Sequence, residues 1–324
     1  MNGSWWSWVA VVALIGGLLA VDLRVNGRSG QLTLRRAVTA TGLWIAVGVA
    51  FGAITGLLEG GAVAEQYFTA YLLEKSLSVD NVFVFALLFE VLAVPEAYRR
   101  RVLFFGVVGA LVLRAAFITG GAALLGELSW MLYPFGALVL VAGVHMLVSK
   151  EQPDPQRSLA MRVARRAVPV TEGYEGDRFF VRRGTLMATP LLIALVAVET
   201  SDIVFAADSI PAVFGVTRDA FVVFTSNAFA VLGLRSLYFV LAGAMQRLHL
   251  LKHGLAMVLM FIGVKMLAEP VLHIPALVSL AVVAGVVASA VVLSLKMPLA
   301  AGPGTPARPA VPAGARGPGW TCTD

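Results

Sequence analysis

The 324-residue chain is 59% hydrophobic and only 14% charged, and its mean hydropathy is +0.85. This composition excludes a soluble globular protein and indicates a polytopic membrane protein. The net charge of +6 does not indicate nucleic-acid binding, because the basic residues lie between apolar segments. The single cysteine, Cys322, excludes a disulfide framework, an iron–sulfur site or a cysteine-based zinc site.

Apolar segments of membrane-spanning length follow one another along most of the chain. We therefore predict an all-α polytopic membrane protein with about nine transmembrane helices. In chain order the predicted spans are 5–21, 38–58, 67–93, 103–125, 129–148, 186–208, 219–244, 253–270 and 274–295. The first span has no basic residues before it, so it is not a typical cleaved signal peptide.

The basic residues concentrate in every second connection between these spans. They are frequent after spans one, three, five, seven and nine and rare in the other connections. By the positive-inside rule, we predict a multi-pass protein of the plasma membrane with its N-terminus outside and its C-terminus in the cytoplasm.

This pattern divides the chain into three parts. Residues 1–37 form the first helix and a basic cytoplasmic loop, residues 38–296 form the transporter core, and residues 297–324 form a tail rich in Pro, Gly and Ala that we predict to be disordered. Within the core, the basic loop 149–185 is interpreted as a topology determinant that lies on anionic headgroups, although a regulatory role is an alternative.

Three sequence matches recur in the same order at an offset near 120 residues. SVDNVFVFAL resembles TSDIVFAADS, GALVLRAAF resembles AVLGLRSLYF, and GVHML at 143–147 resembles GVKML at 263–267. The matches pair repeat one, at about 67–148, with repeat two, at about 186–270. Because each unit has three spans, the second enters from the opposite side, which predicts an inverted repeat with a substrate site near the midplane.

Spans three and six carry five carboxylates in otherwise apolar sequence. They are Glu74, Asp80, Glu199, Asp202 and Asp208. A carboxylate in hydrocarbon costs at least a few kcal/mol, so such residues usually face a cavity and mark a path for ions or protons. We therefore predict a transport protein rather than an enzyme, with no prosthetic group.

The spacing of these residues indicates which side chains share a helix face. Ser78 and Asn81 both fall within about 40° of Glu74 around a helix, so the three share a face, whereas Asp80 lies off that face. Pro211 disfavours continued helix, and an unwound stretch there would let the acids of span six converge.

Carboxylate, carboxamide and hydroxyl oxygens suit hard or borderline divalent cations, namely Mg²⁺, Ca²⁺ and Mn²⁺. Clustered carboxylates would hold a proton when no metal is bound and would release it when the metal enters, which predicts metal/proton exchange.

Further polar residues of the spans are candidate supporting residues. Four of them are cations, which we interpret as charge compensation for the acids or, alternatively, as an internal cation that displaces the metal. The set is Ser78, Ser201, Asn227, Lys75, Arg114, Arg235 and Lys265.

Three strings in this sequence resemble the motifs of the TerC/Alx family of integral membrane proteins, which is grouped with the LysE-type transporter superfamily. They are EKSLSVDNVFVFALLF, VETSDIVFAADSIPAVF and FTSNAFAVLGLRSLYFVL, and the resemblance covers about residues 40–270. The family is named for tellurium resistance, and its better-supported members are implicated in manganese efflux. The resemblance therefore implies that Mn²⁺ is the transported cation. It also implies that the metal-site residues are Glu74, Asp80, Asn81, Glu199, Asp202 and Asp208.

The leading hypothesis is a secondary transporter that exports Mn²⁺, or Ca²⁺ as well, in exchange for protons. The partners expected are the metal ion and the lipid bilayer, with no nucleic acid. One alternative is export of another solute, such as a tellurium oxyanion or an amino acid. Another is a membrane scaffold that aids metallation or insertion of partner proteins and docks them on the basic loop. An intramembrane enzyme is less favoured, because HExxH is absent.

Overall fold

The computed structural model describes residues 5–26, 33–120, 132–148, 169–245, 248, 250–269, 271–272 and 274–296. Within these ranges the protein is almost entirely helical, which confirms the predicted all-α polytopic fold. The elements are α1 (Trp5–Asn26), α2 (Leu34–Glu59), α3 (Gly61–Val91), α4 (Glu96–Gly120), α5 (Leu132–Val148), β1 (Phe180–Arg183), β2 (Thr185–Ala188), α6 (Pro190–Phe214), α7 (Ala220–Leu232), α8 (Leu234–Met245), α9 (Leu251–Ala268) and α10 (Ala276–Lys296).

Seven helices of the described ranges are long and apolar enough to cross a membrane, where α7 and α8 count together as one. The shorter α5 is apolar as well, and α3 has 31 residues whose apolar sequence is interrupted by charged ones. Each predicted span therefore coincides with a helix, or with the α7–α8 pair.

Two boundary predictions for span six are wrong. Residues 186–188 belong to β2 rather than to the helix, because Thr189 is extended and Pro190 occupies the first helical position, where a missing N–H costs nothing. The predicted break at Pro211 is absent, since α6 continues through it to Phe214. Pro211 lies in the last turn of the helix, and its own carbonyl still accepts a bond from Gly215 at 3.0 Å.

Other predictions lie outside the described residues. These concern the end of span four and the start of span five within 121–131, the first part of the basic loop at 149–168, and the tail at 297–324.

A single residue joins α2 to α3. Gly60 has φ +97° and ψ 165°, a conformation that a residue with a side chain rarely adopts. The backbone N–H of Gly60 also donates to the carbonyl of Gly56 at 3.0 Å. This tight turn holds α2 antiparallel against the acid-bearing helix α3.

The helices of the two predicted repeats pack mainly on each other. Helices α3 and α4 both contact α6 and α7, and α5 packs along α9. The centre is formed by α3 and α7, in which residues 80–89 and 221–232 are all buried. Helices α1, α2 and α10 are peripheral and expose many large apolar side chains, as lipid-facing helices do. These contacts agree with a three-plus-three arrangement, while the inversion itself stays a prediction.

The end of the basic loop, residues 169–189, folds against the turn between α3 and α4. The Tyr174 hydroxyl donates to the carbonyl of Leu92 at 2.7 Å, and Asp177 pairs with Arg101 of α4. Burial raises the pKa of Tyr174 to about 12, although the nearby Arg99 partly opposes this shift. This part of the predicted loop is therefore an ordered segment of the fold.

Candidate functional site

Arg114 of α4 lies at the centre of a buried polar cluster, which we call the central cluster. Its guanidinium donates from Nε to Asp202 Oδ2 at 3.1 Å and from Nη2 to Asp202 Oδ1 at 2.9 Å. Nη1 pairs with Glu74 and also donates to Asn227 Oδ1 at 2.6 Å. The two-pronged contact with Asp202 is the strongest geometry available to an arginine and a carboxylate. One cation thus joins α3, α4, α6 and α7.

The predicted face of α3 points into this cluster. Glu74, Ser78 and Asn81 are all buried, as the helical spacing requires. The amide of Asn81 donates to Asp202 Oδ1 at 3.4 Å, which connects the face to α6. The sequence-based prediction of a shared face is therefore confirmed.

Several oxygen atoms around the cluster have no hydrogen-bond partner among the described residues. They are Glu74 Oε2, Ser78 Oγ, Asn81 Oδ1 and Glu199 Oε2. A buried polar oxygen without a partner is costly unless water or an ion satisfies it. The cluster therefore offers unused oxygen donors of the kind that a hard cation binds.

Glu199 lies one turn before Asp202 on α6 and faces α4 at Gly109. A Cβ atom at Gly109 would overlap the Glu199 carboxylate. The glycine therefore provides the space in which this carboxylate lies between the two helices. Sequence reasoning identified Glu199 but not Gly109, because nothing in the sequence shows which residue of a neighbouring helix an acid will meet.

Asp80 lies away from the central cluster. It lines a separate small cavity of about 20 Å³ between α3, α6 and α9, together with Lys265 and Glu269. None of the cluster residues lines this cavity. Asp80 therefore lies apart from the face formed by Glu74, Ser78 and Asn81, as the helical spacing predicts. Asp208 belongs to α6, but its side chain lies outside the described residues.

The remaining predicted residues have separate contacts. Arg235 forms a buried ion pair with Asp22 of α1, and Lys75 donates to the carbonyl of Ala230 at 3.0 Å. Ser201 bonds within its own helix, to the carbonyl of Val198 at 2.7 Å. In this conformation Arg114 and Arg235 therefore neutralise the buried carboxylates with which they pair.

Sequence reasoning missed Asp22, because the first span was predicted to end at residue 21, whereas α1 continues to Asn26. An acid at the end of an apolar segment was the available signal. The pairing with Arg235 joins two helices far apart in sequence, and such a contact has no local pattern.

No group of three or more His, Cys, Asp or Glu side chains is arranged to hold a metal ion within the described ranges. In this conformation the positive charge between Glu74 and Asp202 belongs to Arg114. Assignment of a metal to the six predicted ligands stays a prediction.

Comparison with known proteins places these residues in a family context. The model of the integral membrane protein TerC family matches residues 60–299. The chain is 44% identical over 291 residues to the "Uncharacterized membrane protein STKORF319" of Myxococcus xanthus, covering 89% of this chain and 91% of that protein. It is 45% identical over 293 residues to the "Putative membrane-bound redox modulator Alx" of Escherichia coli K12, covering 87% and 91%. An "Uncharacterized membrane protein" of Rickettsia bellii is 38% identical over 279 residues, covering 85% and 92%. No solved structure matches the chain significantly.

Proposed function

This chain belongs to the TerC family of integral membrane proteins, and we propose that it is a membrane transporter that exports a divalent metal cation through the central cluster. The observation that carries the proposal is the set of buried oxygens without partners around two carboxylates, in helices of membrane-spanning length. Buried carboxylates inside a bundle are characteristic of ion and proton paths. Among oxygen-binding cations we favour Mn²⁺, as the family resemblance implies, with Ca²⁺ as a further substrate.

Arg114 gives this proposal a mechanism. Its guanidinium balances Glu74 and Asp202, which would otherwise repel each other in a low-dielectric interior. An entering dication would replace the guanidinium between these carboxylates and take the unused oxygens of Ser78 and Asn81 as further ligands. The displaced Arg114 would then lose its contacts with both repeats, so metal binding would favour a different packing of α4 against α6.

Proton exchange would use Glu199. Its carboxylate lies in the same buried region as Asp202 without a cation beside it among the described residues, so a proton on Glu199 would reduce the repulsion between the two. Metal entry beside Asp202 would then favour release of that proton. This step makes the coupling electrostatic and needs no nucleotide.

The test is Mn²⁺ uptake by proteoliposomes that contain the full-length protein, compared with Asp202→Asn. Asparagine keeps the size of the side chain and removes its charge, so saturable uptake by the wild type should be lost. Asp177→Asn is the matched control, because it removes a carboxylate that is 60% exposed and outside the spans. Unchanged flux in Asp202→Asn would move the site elsewhere. Absence of Mn²⁺ and Ca²⁺ flux in folded wild type would favour the scaffold alternative.

The relatives named Alx are described as putative membrane-bound redox modulators. In this sequence the single cysteine Cys322 offers no second thiol for an intrachain disulfide. The residues therefore support cation transport better than thiol-based redox chemistry.

A further inference from the structure

The hairpin formed by β1 and β2 presents an exposed face that combines apolar and basic side chains. Its register pairs Phe180 with Ala188 and Arg182 with Leu186, so these four residues share one face. On that face Phe180 is 53% exposed, Leu186 is 64% exposed and Arg182 is exposed as well, whereas Ala188 at the end of β2 is buried. Large apolar residues on a two-stranded hairpin gain no burial from the hairpin itself and indicate a contact with another surface.

The hairpin lies at the level where helices enter the membrane. Only Thr189 separates β2 from the first residue of α6, so the end of β2 must lie at the membrane surface. On the neighbouring helix, the ring of Phe179 packs edge-on against Phe105 with centroids 5.3 Å apart. Phe179, the residue before the hairpin, therefore contacts the side of α4, and the Arg101 guanidinium lies over both rings, 5.8 Å from the centroid of Phe105 and 5.2 Å from that of Phe179.

The packing of α4 against α6 gives the depth of this contact. A Cβ at Gly106 of α4 would lie 2.9 Å from the Val198 side chain, and Val198 is eight residues after Pro190. At 1.5 Å per residue, Phe105 lies about 12 Å along α6 from its first residue. The ring of Phe179, which directly precedes β1, thus lies beside the start of the apolar part of α4.

The charges of the hairpin suit one kind of bilayer surface. Residues 178–188 contain three arginines and no acid. Arg178 and Arg182 are exposed and have no carboxylate partner among the described residues. Aromatic and basic side chains together are enriched where proteins meet the headgroups, and arginines there attract anionic lipids.

We propose that the hairpin is an interfacial anchor, in which Phe180 and Leu186 enter the boundary of the acyl chains while Arg178 and Arg182 bind anionic lipid headgroups. Through the Asp177–Arg101 ion pair and the bond from Tyr174 to Leu92, this anchor would fix the α3–α4 turn at the membrane surface. The proposal requires no transport activity.

The test places a single cysteine on each face of the hairpin in the full-length protein, with Cys322→Ser as background. Leu186→Cys lies on the proposed lipid-binding face, and Thr185→Cys, its exposed neighbour, lies on the opposite face. Both are labelled with an environment-sensitive fluorophore in nanodiscs of phosphatidylcholine, with or without phosphatidylglycerol, and quenched with brominated lipid. We expect quenching and a blue shift at position 186, more strongly with phosphatidylglycerol, and little of either at position 185.

The same measurement can overturn the proposal. No quenching at position 186, or equal quenching at 185 and 186, would show that this face does not contact the bilayer. Equal quenching and blue shift with and without phosphatidylglycerol would show that the hairpin does not bind anionic headgroups. In the Arg178→Gln, Arg182→Gln double variant, we expect loss of the dependence on phosphatidylglycerol, with the apolar contact retained; if that dependence persists, the arginines are not its cause.

Discussion

At the scale of single residues, the central cluster contains one cation, Arg114, that pairs with two anions, Glu74 and Asp202. Arg114 and Glu74 each have about 1% of their side-chain surface exposed, and Asp202 has 2%. Removing one charge of a buried ion pair strongly lowers protein stability, because the other charge then stays buried without a partner. Replacing both charged residues together avoids that penalty. The cluster should therefore tolerate coordinated changes better than single ones.

Arg114→Gln should destabilise the protein by about 3–5 kcal/mol, because Glu74 and Asp202 then lose their counter-ion. Adding Glu74→Gln and Asp202→Asn should recover much of that loss, since the triple variant removes all three of these charges. Thermal unfolding in detergent measures both effects, with the exposed Arg178→Gln as control. A triple variant no more stable than Arg114→Gln would contradict the charge argument.

A second prediction concerns the position of Glu199 rather than its charge. Gly109→Ala places a methyl group where the Glu199 carboxylate now lies, so this flexible side chain must turn away. Because only the end of a side chain moves, we expect a stability change of less than about 1 kcal/mol. Metal flux should nevertheless fall, because the carboxylate is displaced. Wild-type flux in a variant whose Glu199 has moved would exclude Glu199 from the transport path.

Helical periodicity predicted one side of this site and could not predict the other. The spacing of Glu74, Ser78 and Asn81 fixes a common face within α3, since all three belong to one rigid element. The contact of Arg114 with Asp202 depends on how α4 and α6 pack, and helix packing allows several crossing angles and registers. The same spacing placed Asp80 off that face, but only the packing of α9 shows that Asp80 lies beside Lys265.

At the scale of elements, the two equivalent motifs GVHML and GVKML meet at the α5–α9 contact. A Cβ at Gly263 of α9 would lie 2.7 Å from the backbone nitrogen of Leu140 in α5. A Cβ at Gly143 of α5 would lie 3.1 Å from the carbonyl oxygen of Ala256 in α9. Small residues let helix backbones approach closely inside membranes, where packing drives association. The repeated glycine is therefore explained by packing.

Gly263→Ala should destabilise the protein by about 1–3 kcal/mol, because the obstructing atoms are backbone and cannot rotate away. Gly285→Ala in α10 is the control, since a Cβ there would meet nothing within 4 Å. The apparent midpoint of thermal unfolding should fall for the first variant and not for the second. Equal midpoints would mean that α5 and α9 can separate at little cost.

Most helices were predictable because their apolar runs have the length that a bilayer requires. The hairpin was not, because strands of four residues in a basic, glycine-containing segment carry too little periodicity to distinguish them from a loop. The continuation of α6 through Pro211 was missed for another reason. A proline signals a break only when the helix has further turns to lose, and this one ends three residues later.

At the scale of the whole molecule, α1 is joined to the core by charge as well as by apolar contact. The family match begins at residue 60, whereas the Asp22–Arg235 ion pair connects α1 to α8 in the second predicted repeat. Arg235 has 5% of its side-chain surface exposed. We infer that α1 is part of the folded core rather than a dispensable anchor.

Asp22→Asn should therefore lower stability by several kcal/mol, up to about 5, because it leaves the buried Arg235 without this carboxylate. The double variant Asp22→Asn, Arg235→Gln should be more stable than Asp22→Asn alone. Arg24→Gln, an exposed change on the same helix, should have little effect on thermal unfolding. Independent effects of the two single variants in a double-mutant cycle would refute the coupling of α1 to α8.

The last prediction concerns the orientation of the whole bundle. With nine spans and basic residues after every odd one, the turn before α3 should face the outside and the turn before α4 the cytoplasm. Ala62→Cys and Ala97→Cys are matched probes, because both are exposed alanines at the second position of their helices. In a Cys322→Ser background, a membrane-impermeant maleimide applied to intact cells should label position 62 and leave position 97 unlabelled until the membrane is permeabilised. The reverse pattern would place the N-terminus in the cytoplasm and contradict the orientation predicted from the basic connections. Labelling at both positions in intact cells would mean that the protein inserts in two orientations.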